Sequence, residues 1–174
     1  CLVGSEMCIR DRYKGTLTVT GKNASPMELQ IEVDVLNRTL PAPKDWAFHL
    51  DLWQNPYSVP RYYQVPLWSK EHFDAMRPIM KMLANAGQRA ITTSIMHKPW
   101  AGQTEDHFDS MITRIKKIDG TWAYDYAVFD KWVEFMMNEV GIKDMISCYT
   151  MIPWALSFDY YDEATNRVQF LNTK

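Results

Sequence analysis

The sequence predicts an α/β chain: the opening of a (β/α)8 TIM-type barrel, about three strands and two helices with β-hairpin inserts, preceded by the end of a β-rich domain. Three observations predict it. Short apolar runs suited to buried strands alternate with amphipathic helical stripes, the order expected of a parallel sheet with crossover helices. Each of three such strands runs into a loop that carries a Pro and a Trp: Trp53 with Pro56, Pro99 with Trp100, and Pro153 with Trp154. The first forty residues differ in kind, with the strict apolar/polar alternation of a half-exposed antiparallel pair.

In chain order, Cys1 to Arg12 resembles the translation of a sequencing-library adapter and is set aside, which implies that the natural N-terminus is missing. It lacks the charged, apolar and cleavage regions of a signal peptide. Tyr13 to Thr20 and Glu28 to Leu36 read as two strands joined across the turn-rich Gly21 to Pro26. In the second, Leu29, Ile31, Val33 and Val35 alternate with Glu28, Gln30, Glu32 and Asp34. Residues 13–40 are therefore assigned to the β-rich domain, 41–45, with Pro41 and Pro43, to a stiff linker, and 46–174 to the barrel. Asn37-Arg38-Thr39 fits a glycosylation acceptor, a tripeptide that is common by chance.

Trp46 to Leu52 reads as a buried strand, with Trp46, Phe48, Leu50 and Leu52 on one face and Ala47, His49 and Asp51 on the other. In a parallel barrel the second face points inward and its C-terminal end is where sites are built. A paired His and Asp with no further role would look the same. Gln54 to Trp68 reads as a long loop. Ser69 is a candidate N-cap for a helix to about Ala86, with Phe73, Met76, Met80 and Leu83 as its apolar stripe and a kink or restart expected at Pro78. Gly87 stops it. Ala90 to Ile95 is the second buried strand.

Met111 to Asp125 reads as a hairpin turning at Asp119-Gly120. Val128 to Val140 reads as a helix with Phe129, Trp132, Val133 and Met136 on one side. Met145 to Thr150 is the third buried strand, and Phe158 to Leu171 a second hairpin turning around Glu163 to Asn166. A doubly wound open sheet is the competing architecture. A nucleotide-binding version would need a glycine-rich turn after its first strand, where this chain has Trp53-Gln54-Asn55-Pro56. The barrel is favoured, and it is expected to be cut off after three of eight strands, leaving strand edges unpaired.

Composition bounds the function. At 47% hydrophobic and 23% charged residues the chain has a globular profile, and a net charge of −2 argues against a nucleic-acid partner. No apolar run is long enough for a membrane span. With Cys1 and Cys8 discounted, Cys148 stands alone and supports neither disulfides nor a cysteine metal site. His49, His97 and His107 with Asp51 have no zinc-like spacing, so no metal or other cofactor is assigned.

Seven Trp, nine Tyr and seven Phe, many of them in loops, are more than a simple core explains. Aromatic rings at one barrel opening, mixed with amides and acids, suit a sugar: ring faces stack and polar groups bind hydroxyls. Taken singly, each Trp would do no more than cover the barrel end. Together the three point to a carbohydrate cleft. The candidate substrate-binding residues are His49, Asp51, Trp53, Gln54, Asn55, His97, Trp100, Tyr149 and Trp154. Asp162-Glu163 is an adjacent acid pair, but it sits in a polar hairpin turn where solvated acids are expected.

The runs Phe48 to Tyr57, Trp68 to Phe73, Asp119 to Trp122 and Phe129 to Met136 resemble glycoside hydrolase family 123, over about Trp46 to the C-terminus. The resemblance implies that residues 13–36 end a β-sandwich domain. It also implies a bacterial protein, secreted, periplasmic or at the cell surface, whose partner is an N-acetylhexosamine-containing glycan. The implied activity is that of a retaining β-N-acetylgalactosaminidase. There the substrate's N-acetyl group attacks the anomeric carbon, an Asp orients it, and the following Glu is the acid/base. That pair belongs to a later barrel strand, so no catalytic residue is carried over, and this stretch alone is expected to be inactive. A non-catalytic carbohydrate-binding module and a barrel enzyme of other chemistry are the alternatives.

Overall fold

A computed structural model describes residues 11–150, 154 and 156–172. The adapter-like segment lies outside them except for Asp11 and Arg12, and Arg12 opens the first strand with Nε bonded to Asp34. The chain divides into two compact units, 1–41 and 42–174.

In the first unit, β1 (Arg12–Gly21) and β2 (Ala24–Asp34) form an antiparallel hairpin. Tyr13, Leu17 and Val19 lie opposite Val33, Leu29 and Met27 on one face. The opposite face carries Arg12, Lys14, Thr16 and Thr18 across from Asp34, Glu32, Gln30 and Glu28. Period-two alternation thus sorts apolar from charged side chains across the ribbon.

In the second unit Pro43–Asp45 forms one turn of 3-10 helix where a plain linker is predicted. Its Pro43 packs near Gly87, whose φ of +92° ends the first long helix. The predicted strand at Trp46 to Leu52 is not formed. Only Leu50 makes a bridge, parallel to Gln88, and Phe48 is 64% exposed. The predicted loop from Gln54 to Trp68 contains a short helix, α1 (Ser58–Tyr63).

Helix α2 (Lys70–Asn85) begins at Ser69, whose Oγ accepts from the His72 N–H at 3.2 Å. It runs through Pro78 without a break. The carbonyl that a proline there leaves without a donor belongs to Asp74, on the exposed side, where water can satisfy it. Helix α3 (Ala127–Glu134) continues as a π-helical segment, Phe135–Val140, and stops at Gly141 with φ +98°.

Strands β3 (Ala90–Ser94) and β6 (Met145–Tyr149) pair in parallel, and β3 is wholly buried. Met76 and Met80 of α2 and Trp132, Phe135 and Met136 after it form the core beside β3. Trp132 is inaccessible and donates its indole N–H to Thr92 O at 2.9 Å, so the largest core side chain leaves no unpaired polar atom.

The two predicted hairpins exist, as β4 (Thr113–Lys116) with β5 (Trp122–Asp125), and β7 (Ser157–Asp162) with β8 (Arg167–Asn172). They are not separate inserts. β4 pairs with β7 in parallel, giving one four-stranded sheet of order β5-β4-β7-β8. The architecture is thus mixed α/β, and the described residues close no barrel.

Candidate functional site

The segment 50–54 runs alongside β3, but glutamine side chains replace most of the backbone ladder. Arg89 N–H bonds Leu50 O at 3.1 Å, as a parallel neighbour would. Beyond that, Gln88 Oε1 accepts from Leu52 N–H at 2.8 Å and its Nε2 donates to Ala90 O at 2.7 Å. Gln54 repeats the device one step on. Its Oε1 accepts from Thr92 N–H at 2.8 Å, its Nε2 donates to Ala90 O at 3.3 Å and to Leu52 O, and its own N–H reaches Thr92 Oγ1. A primary amide has a peptide's donor and acceptor, so it satisfies a strand edge as a backbone would.

This fixes where Trp53 sits. Its ring stacks on Trp100 with centroids 5.1 Å apart and 26° between planes. Tyr149 lies edge-on to both, at 5.5 Å from Trp53 and 4.7 Å from Trp100, and Phe108 backs Trp100 at 4.6 Å. Trp53 follows the Leu50 bridge, Trp100 follows β3, and Tyr149 ends β6. Because these three segments are parallel, their C-terminal ends share one edge. The Trp100 loop turns through Lys98 and Ala101, both left-handed at φ 48° and 52°, a conformation costing an L-residue roughly 1–2 kcal/mol.

Trp154, 64% exposed, joins the same end through its N–H, which donates to Pro99 O at 3.2 Å. Pro153 lies outside the described residues. Trp53 is 58% exposed, so much of its surface stays open beside the stack.

The polar candidates divide. Asp51 lies near Tyr149: burial raises the Tyr149 hydroxyl pKa, the Asp51 carboxylate adds to the rise, and a hydrogen bond from Trp53 opposes it. His97 Nδ1 is 3.2 Å from Asp109 Oδ1 and its ring meets Phe170 of β8 edge-on, so it ties the four-stranded sheet to the β3 loop. Gln54 is 2% exposed and its amide is committed to backbone. Asn55 Oδ1 accepts from Tyr57 N–H at 3.1 Å and its Nδ2 donates to Asp106 O, shaping the turn after Trp53. His49 is exposed and lies outside a strand.

Four buried residues around β3 carried no signal that composition could pick out. Tyr57 Oη donates to Asp109 O at 2.6 Å, as does Ser94 Oγ at 2.5 Å, and burial pushes the Tyr57 pKa far up. His72 is inaccessible: its Nδ1 accepts from Trp68 N–H at 3.0 Å, so the proton sits on Nε2 and is donated to Pro56 O at 3.0 Å. Burial lowers its pKa, against the pull of that carbonyl. Gln88, next to the helix-ending Gly87 and just before β3, is the fourth.

Of the acid pair, Asp162 Oδ1 accepts from Ala164 N–H within its own hairpin turn, and Glu163 pairs at 2.5 Å with Lys117 of the other hairpin. Among the described residues no group of three His, Cys, Asp or Glu side chains could hold a metal ion, and no helix is long and apolar enough to cross a membrane.

Comparison with known proteins turns this geometry into a relationship. The glycoside hydrolase 123 catalytic-domain model matches residues 53–174. No curated protein matches the chain. A solved family 123 glycoside hydrolase from Clostridium perfringens, studied for glycolipid glycan hydrolysis, superposes with a TM-score of 0.75 at 32% identity. That match covers 92% of this chain and 29% of the other. On the family match and this likeness, the chain belongs to glycoside hydrolase family 123.

Proposed function

We propose that the protein to which this chain belongs is a glycosidase cleaving terminal β-linked N-acetylgalactosamine from glycans, and that this stretch supplies sugar-binding wall. The observation that carries the reading is the Trp53–Trp100 stack with Tyr149 at the shared C-terminal edge of parallel segments, within a family 123 sequence. In the whole protein, the Leu50 segment, β3 and β6 would be the start of a (β/α)8 barrel, with its opening at that edge. An exposed indole suits the apolar face of a sugar ring, while the Asp51 carboxylate and the Tyr149 hydroxyl offer partners for sugar hydroxyls. Glycolipid glycans, the substrates named for the Clostridium perfringens protein, are the first class to test. A glycan substrate also fits action outside the cytoplasm.

The reaction proposed is retaining and substrate-assisted. The acetamido oxygen attacks C1, an Asp holds the acetamide, and the adjacent Glu protonates the leaving oxygen and then takes a proton from the incoming water. Asp162 is bonded to Ala164 N–H and Glu163 is paired with Lys117, which supports a reading in which the catalytic pair lies elsewhere in the protein and this chain alone is inactive. Hydrolysis of an aryl β-N-acetylgalactosaminide by the whole protein and by this chain tests both parts. Turnover by the whole protein only is the expected result. Turnover by the chain would return Asp162 and Glu163 to the mechanism. Sugar binding without turnover by the whole protein would favour a non-catalytic binding module.

A further inference from the structure

The four-stranded sheet has a face of its own that the aromatic stack does not use. Cross-strand register puts Arg114 opposite Tyr124 and Lys116 opposite Trp122. It also puts Phe158 opposite Leu171 and Tyr160 opposite Gln169, and the parallel β4–β7 pairing brings the two halves together. Strand alternation therefore gathers four aromatics on one side of the sheet. Trp122 lies edge-on to Tyr160 at 5.3 Å and to Phe158 at 6.3 Å, and is still 41% exposed, while Tyr124 is 53% exposed. Between them is a hollow of about 370 Å³ lined by Arg114, Trp122, Tyr124, Phe158 and Leu171. That is within the range of small-ligand sites, roughly 300–1,000 Å³.

The charge on this face is one-sided. Arg114, Lys116 and Arg167 share it with a single carboxylate, Asp162, one oxygen of which already accepts from Ala164 N–H. Arg114 is held rather than free. Its Nη2 donates to Ile95 O at 2.6 Å and reaches Met96 Sδ, its Nη1 donates to Ser110 Oγ at 3.3 Å, and its guanidinium lies 5.5 Å from the Phe158 ring centroid. All of those acceptors are neutral. Asp159, on the opposite face of the sheet, acts on Arg114 electrostatically, and no hydrogen bond joins them among the described residues. A half-buried guanidinium fixed at the edge of an aromatic hollow, with only neutral hydrogen-bond partners, is arranged to meet an anion.

We propose that this hollow binds a carboxylate-bearing sugar, with Trp122 and Tyr124 against the ring and Arg114 on the carboxylate. It thus recognises acidic units of the glycan whose neutral end the Trp53 stack takes. The inference rests on the glycan-active reading above. Sialic and uronic acids share the required chemistry: an apolar ring face and a carboxylate on the same ring.

The test is calorimetric titration of the whole protein with sialyllactose, with a glucuronyl-galactose disaccharide and with lactose, beside the aryl-glycoside hydrolysis assay. One acidic sugar is expected to bind about tenfold or more tighter than lactose, the scale of one charge-assisted contact. The acidic sugar that binds identifies the source. Trp122→Ala, at an exposed ring, and Arg114→Met are each expected to abolish the preference. Equal affinity for acidic and neutral sugars, or a preference that survives Trp122→Ala, overturns the proposal. Hydrolysis without acidic-sugar binding sinks this inference alone. Acidic-sugar binding without hydrolysis sinks the glycosidase reading and leaves the hollow assigned.

Discussion

Replacing Gln54 by Ala separates two roles that a glutamine in this loop could have. The structure gives it a strand's work. Its amide takes Thr92 N–H and donates to Ala90 O on a strand with no solvent access. In Gln54→Ala, Ala90 O keeps Gln88 as a donor. Leu52 is exposed, so its carbonyl can turn to water. Thr92 N–H has no such escape. A buried donor left unpaired costs about 1–3 kcal/mol, and each lost bond adds about 0.5–1.5 kcal/mol, so the substitution should cost about 2–4 kcal/mol. Gln54→Glu should be no milder, because a carboxylate oxygen would then face Ala90 O. Urea unfolding followed by tryptophan fluorescence reads the loss as a shifted midpoint at constant slope. A shift below about 0.5 kcal/mol, the scale of an ordinary surface substitution, together with weakened sugar binding would refute the reasoning and make Gln54 a sugar ligand.

Further expectations concern the scaffold. His72 is neutral in the fold with a lowered pKa, so the unfolded chain takes up its proton first. The stability this contributes is present above the ordinary value of about 6.5 and is lost as pH falls from there through the lowered value. Urea midpoints measured down that range should show the loss, and His72→Gln should flatten it; an unchanged slope would contradict the assignment. Ser69→Ala removes the cap of α2 and should cost about 1 kcal/mol by the same assay. Gly141→Ala meets open space and should cost about 1 kcal/mol for its positive φ alone. Gly87→Ala should cost a similar amount, because its new Cβ would sit at ordinary contact distance, 3.4 Å from Pro43 O. A much larger drop in melting temperature for Gly87→Ala than for Gly141→Ala would contradict this.

What could be read from the chain follows from what is local. Helix α2 was legible because cap, stripe and stop all lie within its own residues. The hairpins were legible from Asp119-Gly120 and the polar turn at Glu163 to Asn166. Trp53 and Trp100 meeting at one edge followed from parallelism, since loops after parallel strands emerge on one side. The strand at Trp46 to Leu52 failed because alternation records only which residues are apolar. It does not record that the amides of Gln54 and Gln88 replace the backbone ladder. The same ambiguity touches Gln54: an amide suits a hydroxyl or a peptide equally, and its buried amide is bonded to backbone. The pairing of β4 with β7 joins segments more than forty residues apart and left no mark in either.

The most direct test of the account is Trp53→Ala in the whole protein, read as affinity for an N-acetylgalactosamine-terminated glycan beside a thermal melt. An exposed ring that stacks on sugar should cost about 1 kcal/mol of binding when removed, about fivefold in affinity, with the melt nearly unchanged. Undiminished affinity would contradict the account, as would a collapse of the fold that carried binding away with it. Either result would make the Trp53–Trp100 stack a lid on the strand ends rather than a wall for sugar.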